Sequence, residues 1–190
     1  MSNKHTYPPK RRIYLDTLDD KHIDRFITLS NDPELVINME WPSFRAGEKK
    51  RFMETVEVMS VPSLNKGLAI TFSIFVSDEE KPIGYVCLKG MDGRHSMAEL
   101  GIAIMEKEYR SLGYGSEALE LAINYGFNEL GLGLIALTPY PFNERAINAY
   151  EKVGFVKKEV LEKAWRQESG ELVDLLLMEI TREQWVSGKC

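Results

Sequence analysis

Between residues 68 and 76 the chain alternates. Leu68, Ile70, Phe72, Ile74 and Val76 fall on one face of an extended segment, with Ala69, Thr71 and Ser73 on the other, the period-two signature of a β-strand. Asp78-Glu79-Glu80-Lys81-Pro82 reads as a turn into a second strand, IGYVCLKG at 83–90. MDGRH at 91–95 turns again into a third, AELGIAIM at 98–105. Consecutive strands with short connections predict an antiparallel meander. Ahead of it, RIYLDTL at 12–18 is a further strand, and Asp19 or Asp20 caps a helix reaching Leu29, with Ile23, Phe26 and Ile27 at helical spacing. Asn31-Asp32-Pro33 breaks that helix, MEWPSF at 39–44 is an aromatic loop, and a second helix over 48–59 carries Phe52, Val56 and Met59 on one stripe.

The pattern returns to helical spacing from Ser116 to Leu130, where Leu119, Ala122, Ile123, Gly126 and Leu130 oppose Glu117, Glu120, Asn124 and Asn128. Gly131 is placed as its stop. LIALTPY at 134–140 is a short strand. A helix over 143–153 ends at Gly154, with Phe155 placed to close a Schellman-type cap. Two last strands, 155–165 and 171–180, turn through Ser169-Gly170. The predicted class is α+β: a mostly antiparallel sheet flanked by helices, turning parallel where the 116–130 helix forms a crossover.

At 190 residues with 44% hydrophobic and 28% charged positions, the expectation is one globular domain over 11–190 behind a flexible basic tail at 1–10. Two cysteines, Cys87 and Cys190, exclude a disulfide scaffold and fit a reducing, cytoplasmic setting. No run approaches the roughly 18 apolar residues of a membrane span, and the basic start MSNKHTYPPKRR lacks the apolar stretch of a signal peptide. Lys4, Lys10, Arg11 and Arg12 gather in the first twelve residues without an acid, so the body is more acidic than the overall net charge of −5. That disfavours DNA as a partner, and the acidity either serves solubility or favours cationic ligands. The basic tail would suit an acidic partner if it is more than a disordered terminus.

The stretch ELGIAIMEKEYRSLGYGSEAL at 99–119 carries candidate chemistry. A strand ends near Met105, a polar loop holds Arg110, and Gly113 and Gly115 lead into a helix whose first N–H groups and dipole favour an anion. Arg110 adds a cation suited to phosphate oxygens. By itself this is a diphosphate cradle or simply a glycine-rich turn into a helix. No Gly-Lys-Ser/Thr follows, which removes a P-loop hydrolase. Gly113-x-Gly115-x-x-Ala118 matches the lenient dinucleotide fingerprint, but polar residues separate it from the strand and the next strand ends in Thr138-Pro139 rather than an acid. A nucleotide-binding oxidoreductase is therefore poorly supported.

RxxGxG at 110–115, followed by Asn143 and the Tyr150-Glu151-Lys152-x-Gly154-Phe155 segment, resembles the GNAT superfamily of acetyl-CoA-dependent N-acetyltransferases. Asn31-Asp32-Pro33-Glu34 and Trp41-Pro42 look like the branch that includes ribosomal-protein N-terminal acetyltransferases. The resemblance runs over residues 11–181. It implies that Arg110, Ser111, Leu112, Gly113, Tyr114, Gly115 and Ser116 bind the diphosphate of acetyl-CoA, with Asn143 touching the coenzyme. The backbone of Ile102, Ala103, Ile104 and Met105 would hold the pantetheine arm and acetyl carbonyl, and Tyr150 would protonate the leaving thiolate. Dimers are common in such families, and a non-catalytic acyl-CoA-binding module on the same fold is the alternative.

Direct transfer needs a neutral amine, and a lysine-like amine with a pKa of about 10.4 needs a base more than an α-amine of about 7.7–8.0 does. Glu99 is the candidate: alternation sets it with Gly101 and Ala103, opposite Leu100, Ile102 and Ile104, and those small neighbours leave room. A solvated strand-edge glutamate is the plain alternative. Glu40, Trp41 and Phe44 are candidates for the acceptor pocket, with Asp174 reaching it from the penultimate strand. Cys87 reads as a core side chain, and His5, His22 and His95 show no metal-ligand spacing, so no metal is expected.

Overall fold

The computed structural model describes residues 11–39, 44–58, 68–77, 79–91, 96–167 and 169–188. The tail at 1–10 and the candidates Glu40, Trp41 and His95 lie outside them. Seven strands form one sheet in the order β1-β2-β3-β4-β5-β7-β6: β1 (Ile13–Thr17), β2 (Leu68–Val76), β3 (Pro82–Met91), β4 (Met97–Ile104), β5 (Leu134–Leu137), β6 (Val156–Arg166) and β7 (Leu172–Thr181). β2, β3 and β4 make the expected antiparallel meander. The single parallel pair, β4 with β5, follows from the crossover helix α4 (Tyr114–Asn128). The predicted α+β class is the observed one.

Helices cover both faces because β3 and β4 are buried on both and send alternate side chains each way. One face packs α4, through Leu119, Ile123 and Phe127, on Val86, Leu88 and Leu100. The other packs α1 (Asp20–Leu29), α2 (Pro33–Met39) and α3 (Lys49–Val58) on Tyr85, Cys87, Ala103 and Met105. Burying each large apolar side chain contributes about 1.5–3 kcal/mol, so both faces need their cover. Cys87 is the expected core residue, 1% exposed.

Asp19 caps α1 through its side chain to the Lys21 N–H at 3.0 Å. At the end of α5 (Glu144–Lys152), Gly154 has φ +104°, its N–H reaches the Glu151 carbonyl at 3.0 Å, and the Phe155 N–H reaches that of Tyr150 at 3.1 Å. Those two bonds complete the expected Schellman cap.

Four details depart from the sequence reading. Asn31-Asp32-Pro33 ends one helix but also starts α2: Pro33 occupies the first helical position, where its missing N–H costs nothing, and Asp32 accepts from the Glu34 N–H at 2.8 Å. α4 begins two residues before Ser116, with Gly113 as N-cap. The β2 alternation is interrupted by register shifts that leave Leu68 77% exposed and bury Ile74 and Phe75 together. A last helix, α6 (Arg182–Ser187), follows β7 on a capping box of Thr181 and Gln184, a Thr-x-x-Gln signal present in the sequence.

Candidate active site

β4 and β5 pair only from Met97, Ala98 and Glu99 to Leu134, Ile135 and Ala136. Beyond Glu99 they separate, because β5 ends at Leu137 and the chain moves toward β7, where the Leu176 N–H reaches the Pro139 carbonyl at 2.9 Å. A cavity of about 290 Å³ occupies the opening. Gly113, Gly115 and Ser116 stand on one side of it, Lys89 and Glu99 on another, and Asn143 and Tyr150 come from α5.

The edge of β4 in this opening is polar. Met105 donates its N–H back to Ile83 at 2.8 Å, and Ala103 pairs with Tyr85. Strand alternation therefore turns the backbone groups of Ile102 and Ile104 to the opposite edge, which has no strand partner beyond Glu99 and where the Ile104 carbonyl accepts from Arg110 Nε at 3.0 Å. Of the four residues expected to hold a pantetheine arm, Ile102 and Ile104 present backbone to the opening, whereas Ala103 and Met105 are turned to β3.

The loop after β4 makes a short 3-10 turn at Lys107–Tyr109 and enters α4 through two left-handed residues, Ser111 at φ +61° and Gly113 at φ +89°. The first main-chain bond into α4 runs from the Glu117 N–H to the Gly113 carbonyl at 3.1 Å. The N–H groups of Tyr114, Gly115 and Ser116 thus lack intrahelical acceptors, the ordinary state of a helix start. A Cβ on Gly115 would meet Ile104 at 3.7 Å, ordinary contact, so a longer side chain there extends into the cavity. Leu112 is exposed beside this turn.

Arg110 is placed differently from its sequence reading. It is 9% exposed, and all three guanidinium nitrogens point inward. Nε donates to the Ile104 carbonyl at 3.0 Å, Nη2 to the Met105 carbonyl at 2.6 Å, and Nη1 to Asp32 at 3.3 Å and Glu34 at 3.1 Å. A buried guanidinium must be paired, and these four acceptors commit all three of its nitrogens, although the residue also lines the cavity. Glu34 also bonds Arg145 of α5. Arg145 and Arg110 hold the Glu34 carboxyl below the usual range against the effect of burial. Burial raises the Asp32 carboxyl, but hydrogen bonds from the Glu34 N–H and Arg110 outweigh it and leave it lowered.

Tyr150 sits in the last turn of α5, its ring edge-on to Phe155 at 6.0 Å. Burial pushes its hydroxyl up to about 12, so it keeps its proton through the neutral range. Asn143 is first of all a helix cap, its side chain accepting from the Ala146 N–H at 3.2 Å while lining the cavity. Glu99 is not a solvated edge residue: it is 4% exposed, and Oε1 lies 3.6 Å from Lys89 Nζ, its direct neighbour across the β3–β4 pairing. The space expected beside Gly101 is taken by the Cys87 thiol, 3.0 Å from where a Cβ would stand. Burial raises that thiol to about 11, which makes it a poor nucleophile.

Phe44 is buried against Phe52, with rings 5.3 Å apart, and does not line the cavity. Asp174 caps the Lys163 N–H within the β6–β7 hairpin at 2.8 Å, away from the opening. Among the described residues, His, Cys, Asp and Glu side chains do not gather into a metal-binding group, and no helix is long and apolar enough to cross a membrane. Sequence reasoning quoted Asp32 and Glu34 only within the Asn31-Asp32-Pro33-Glu34 segment, without their pairing to Arg110, and missed Lys89 and Arg145, which carry no motif of their own.

A splayed sheet with a glycine-bounded helix start on one side of the opening and a tyrosine on the other defines an acetyltransferase of the GNAT type. The chain belongs to that family: a family described as "Acetyltransferase (GNAT) domain" matches residues 12–156. "Uncharacterized N-acetyltransferase p20" of Bacillus licheniformis is 26% identical over 174 residues, 92% of this chain and 95% of that protein. The spermidine N(1)-acetyltransferase of Escherichia coli (strain K12) is 40% identical over 78 residues, 41% of each chain. The fold matches the crystal structure of spermidine N-acetyltransferase from Vibrio cholerae in complex with CoA and spermine, with a TM-score of 0.75 at 20% identity, over 92% of this chain and 98% of that one.

Proposed function

We propose that this single-domain enzyme moves an acetyl group from acetyl-CoA directly to the primary amine of a small molecule. The observation that carries the reading is the opening between β4 and β5, which joins the start of α4 to Glu99 and Tyr150 through one cavity. Acetyl-CoA would supply an activated acetyl thioester. The loop of Arg110, Ser111, Leu112 and Gly113, with the N–H groups of Tyr114, Gly115 and Ser116, suits its diphosphate. Asn143 stands where it can contact the arm below.

The N–H groups of Ile102 and Ile104 suit the arm and the charge that develops on the acetyl oxygen. Glu99, directly or through water, takes the proton the amine must lose. Tyr150 donates its proton to the departing sulfur, and its buried hydroxyl is kept neutral for that task. Direct transfer is favoured over an acyl-enzyme because Cys87 is a buried, raised thiol with its Sγ directed at the Val56 carbonyl.

The relatives whose names give an acceptor are spermidine acetyltransferases, so we place the acceptor among small amines and polyamines rather than at the protein N-termini suggested by the early Trp41-Pro42 segment. The overall charge of −5 agrees with a cationic acceptor. A thiol-release screen with spermidine, spermine, an aminoglycoside, small metabolite amines and an N-terminal peptide tests the assignment. Transfer to a polyamine or other small amine is expected; transfer to the peptide alone, or coenzyme A binding without any transfer, overturns it.

A further inference from the structure

Arg110, the cation the sequence assigned to the diphosphate loop, has its guanidinium nitrogens engaged by Asp32, Glu34 and two carbonyls. A different arginine holds the outer side of the loop. Arg12 immediately precedes β1, and its backbone is fixed at both ends: its carbonyl accepts from the Ser77 N–H at 2.8 Å, and its N–H reaches Glu117 Oε2 at 3.3 Å. Its Nε donates to Glu117 Oε1 at 2.6 Å, and Nη2 pairs with the same carboxylate while donating to the Leu112 carbonyl at 3.1 Å. The guanidinium lies 4.4 Å over the Tyr114 ring, and a Cβ on Gly113 would come within 3.1 Å of Nη2.

Two physical effects converge there. Glu117 lies in the first turn of α4, where its negative charge opposes an incoming diphosphate, and Arg12 is the cation that neutralises it. The Leu112–Gly113 peptide precedes the helix N–H groups, and the bond to the Leu112 carbonyl fixes how that peptide is turned. We propose that Arg12 is a positioning residue of the coenzyme site: it locks the Leu112–Gly113 turn and cancels the Glu117 charge, so that the start of α4 accepts a diphosphate. The proposal rests on the acetyl-CoA reading.

Coenzyme A binding, measured by calorimetry on the full chain with thermal unfolding alongside, tests it. Arg12→Ala is expected to weaken binding by about two- to fivefold, the range of a charge at a helix start, and to raise the KM for acetyl-CoA more than it lowers kcat. In the Arg12→Ala background, Glu117→Gln should recover part of the lost affinity by removing the uncompensated carboxylate, a recovery that mere scaffolding would not produce. Glu117→Gln alone should bind at least as tightly as the parent. Unchanged affinity in Arg12→Ala, or no recovery in the double variant, overturns the proposal. If Arg12→Ala does not fold, Glu117→Gln decides, and weaker binding than the parent counts against it. A parent chain that does not bind coenzyme A would instead overturn the acetyl-CoA reading itself.

Discussion

Lys89 and Glu99 stand directly opposite each other in the β3–β4 pairing, Nζ 3.6 Å from Oε1, with both side chains about 95% shielded from solvent. In the proposed reaction this carboxylate, buried at the wall of the cavity beside a lysine, is the group that takes the proton the amine loses. Glu99→Gln is expected to lower turnover at neutral pH by about 10²–10⁴-fold, the usual worth of a general base. The deficit should shrink as pH rises toward the acceptor's own pKa, where free amine becomes abundant. A pH–rate profile parallel to the parent's rules Glu99 out as base.

Tyr150→Phe separates chemistry from packing. No hydrogen bond to its hydroxyl occurs among the described residues, so its removal leaves no orphaned group and should change stability by less than about 1 kcal/mol. Turnover should fall by about 10²-fold or more if the hydroxyl protonates the leaving sulfur, with coenzyme A affinity nearly unchanged. Steady-state kinetics beside calorimetry checks both halves, and parental turnover removes the acid role.

Gly113→Val forces a branched side chain to φ +89°, at a backbone cost of about 1–2 kcal/mol. It also presses the new Cβ on Arg12. Coenzyme A affinity should collapse, as it should when a bulky residue at Gly115 enters the cavity. Unchanged calorimetric affinity in both variants contradicts the cradle.

Arg110→Ala removes the partner of two partly exposed carboxylates and of the Ile104 and Met105 carbonyls, and leaving inward-facing acceptors unbonded costs about 1–3 kcal/mol. Arg110→Lys should rescue little, because an ammonium cannot reach that set of acceptors as a planar fork does. Thermal unfolding measures both.

The same network sets an acid limb. Asp32 and Glu34 have folded-state values below those of the open chain, so the stability they contribute is present above the ordinary carboxylate range of about 4 and is lost as pH falls through their depressed values. Unfolding temperature should drop across that acidic window in the parent and drop less steeply in Arg110→Ala. Equal slopes would detach the two carboxylates from Arg110.

The elements were legible where local chemistry decides them. Period-two runs marked β2, β3 and β4, Asp19 and Asn143 marked helix starts, and Gly154-Phe155 marked the Schellman end, because each is set by residues within one or two turns. Proline both breaks and starts helices, and which Pro33 does depends on whether Leu35 finds a core to enter. It does, on the α1–α3 side. The Thr181–Gln184 box that starts α6 is a local signal of the same kind.

The class of chemistry was legible through a resemblance: RxxGxG at 110–115 with Asn143 and the Tyr150–Phe155 segment is a local pattern that can be matched to a family without knowledge of the fold. Tertiary structure alone decided which charges do what. Arg110 seemed the phosphate cation until Asp32 and Glu34, far off in sequence, claimed its guanidinium. Arg12 read as one charge of a basic N-terminal run and the first residue of a strand, and only the fold brings it to Glu117. For Glu99 the pattern leaves a candidate base and a solvated edge residue both open, and only the fold buries it opposite Lys89. Charge pairing acts over a few ångströms in space regardless of separation along the chain, so only the folded arrangement assigns each ion its partner.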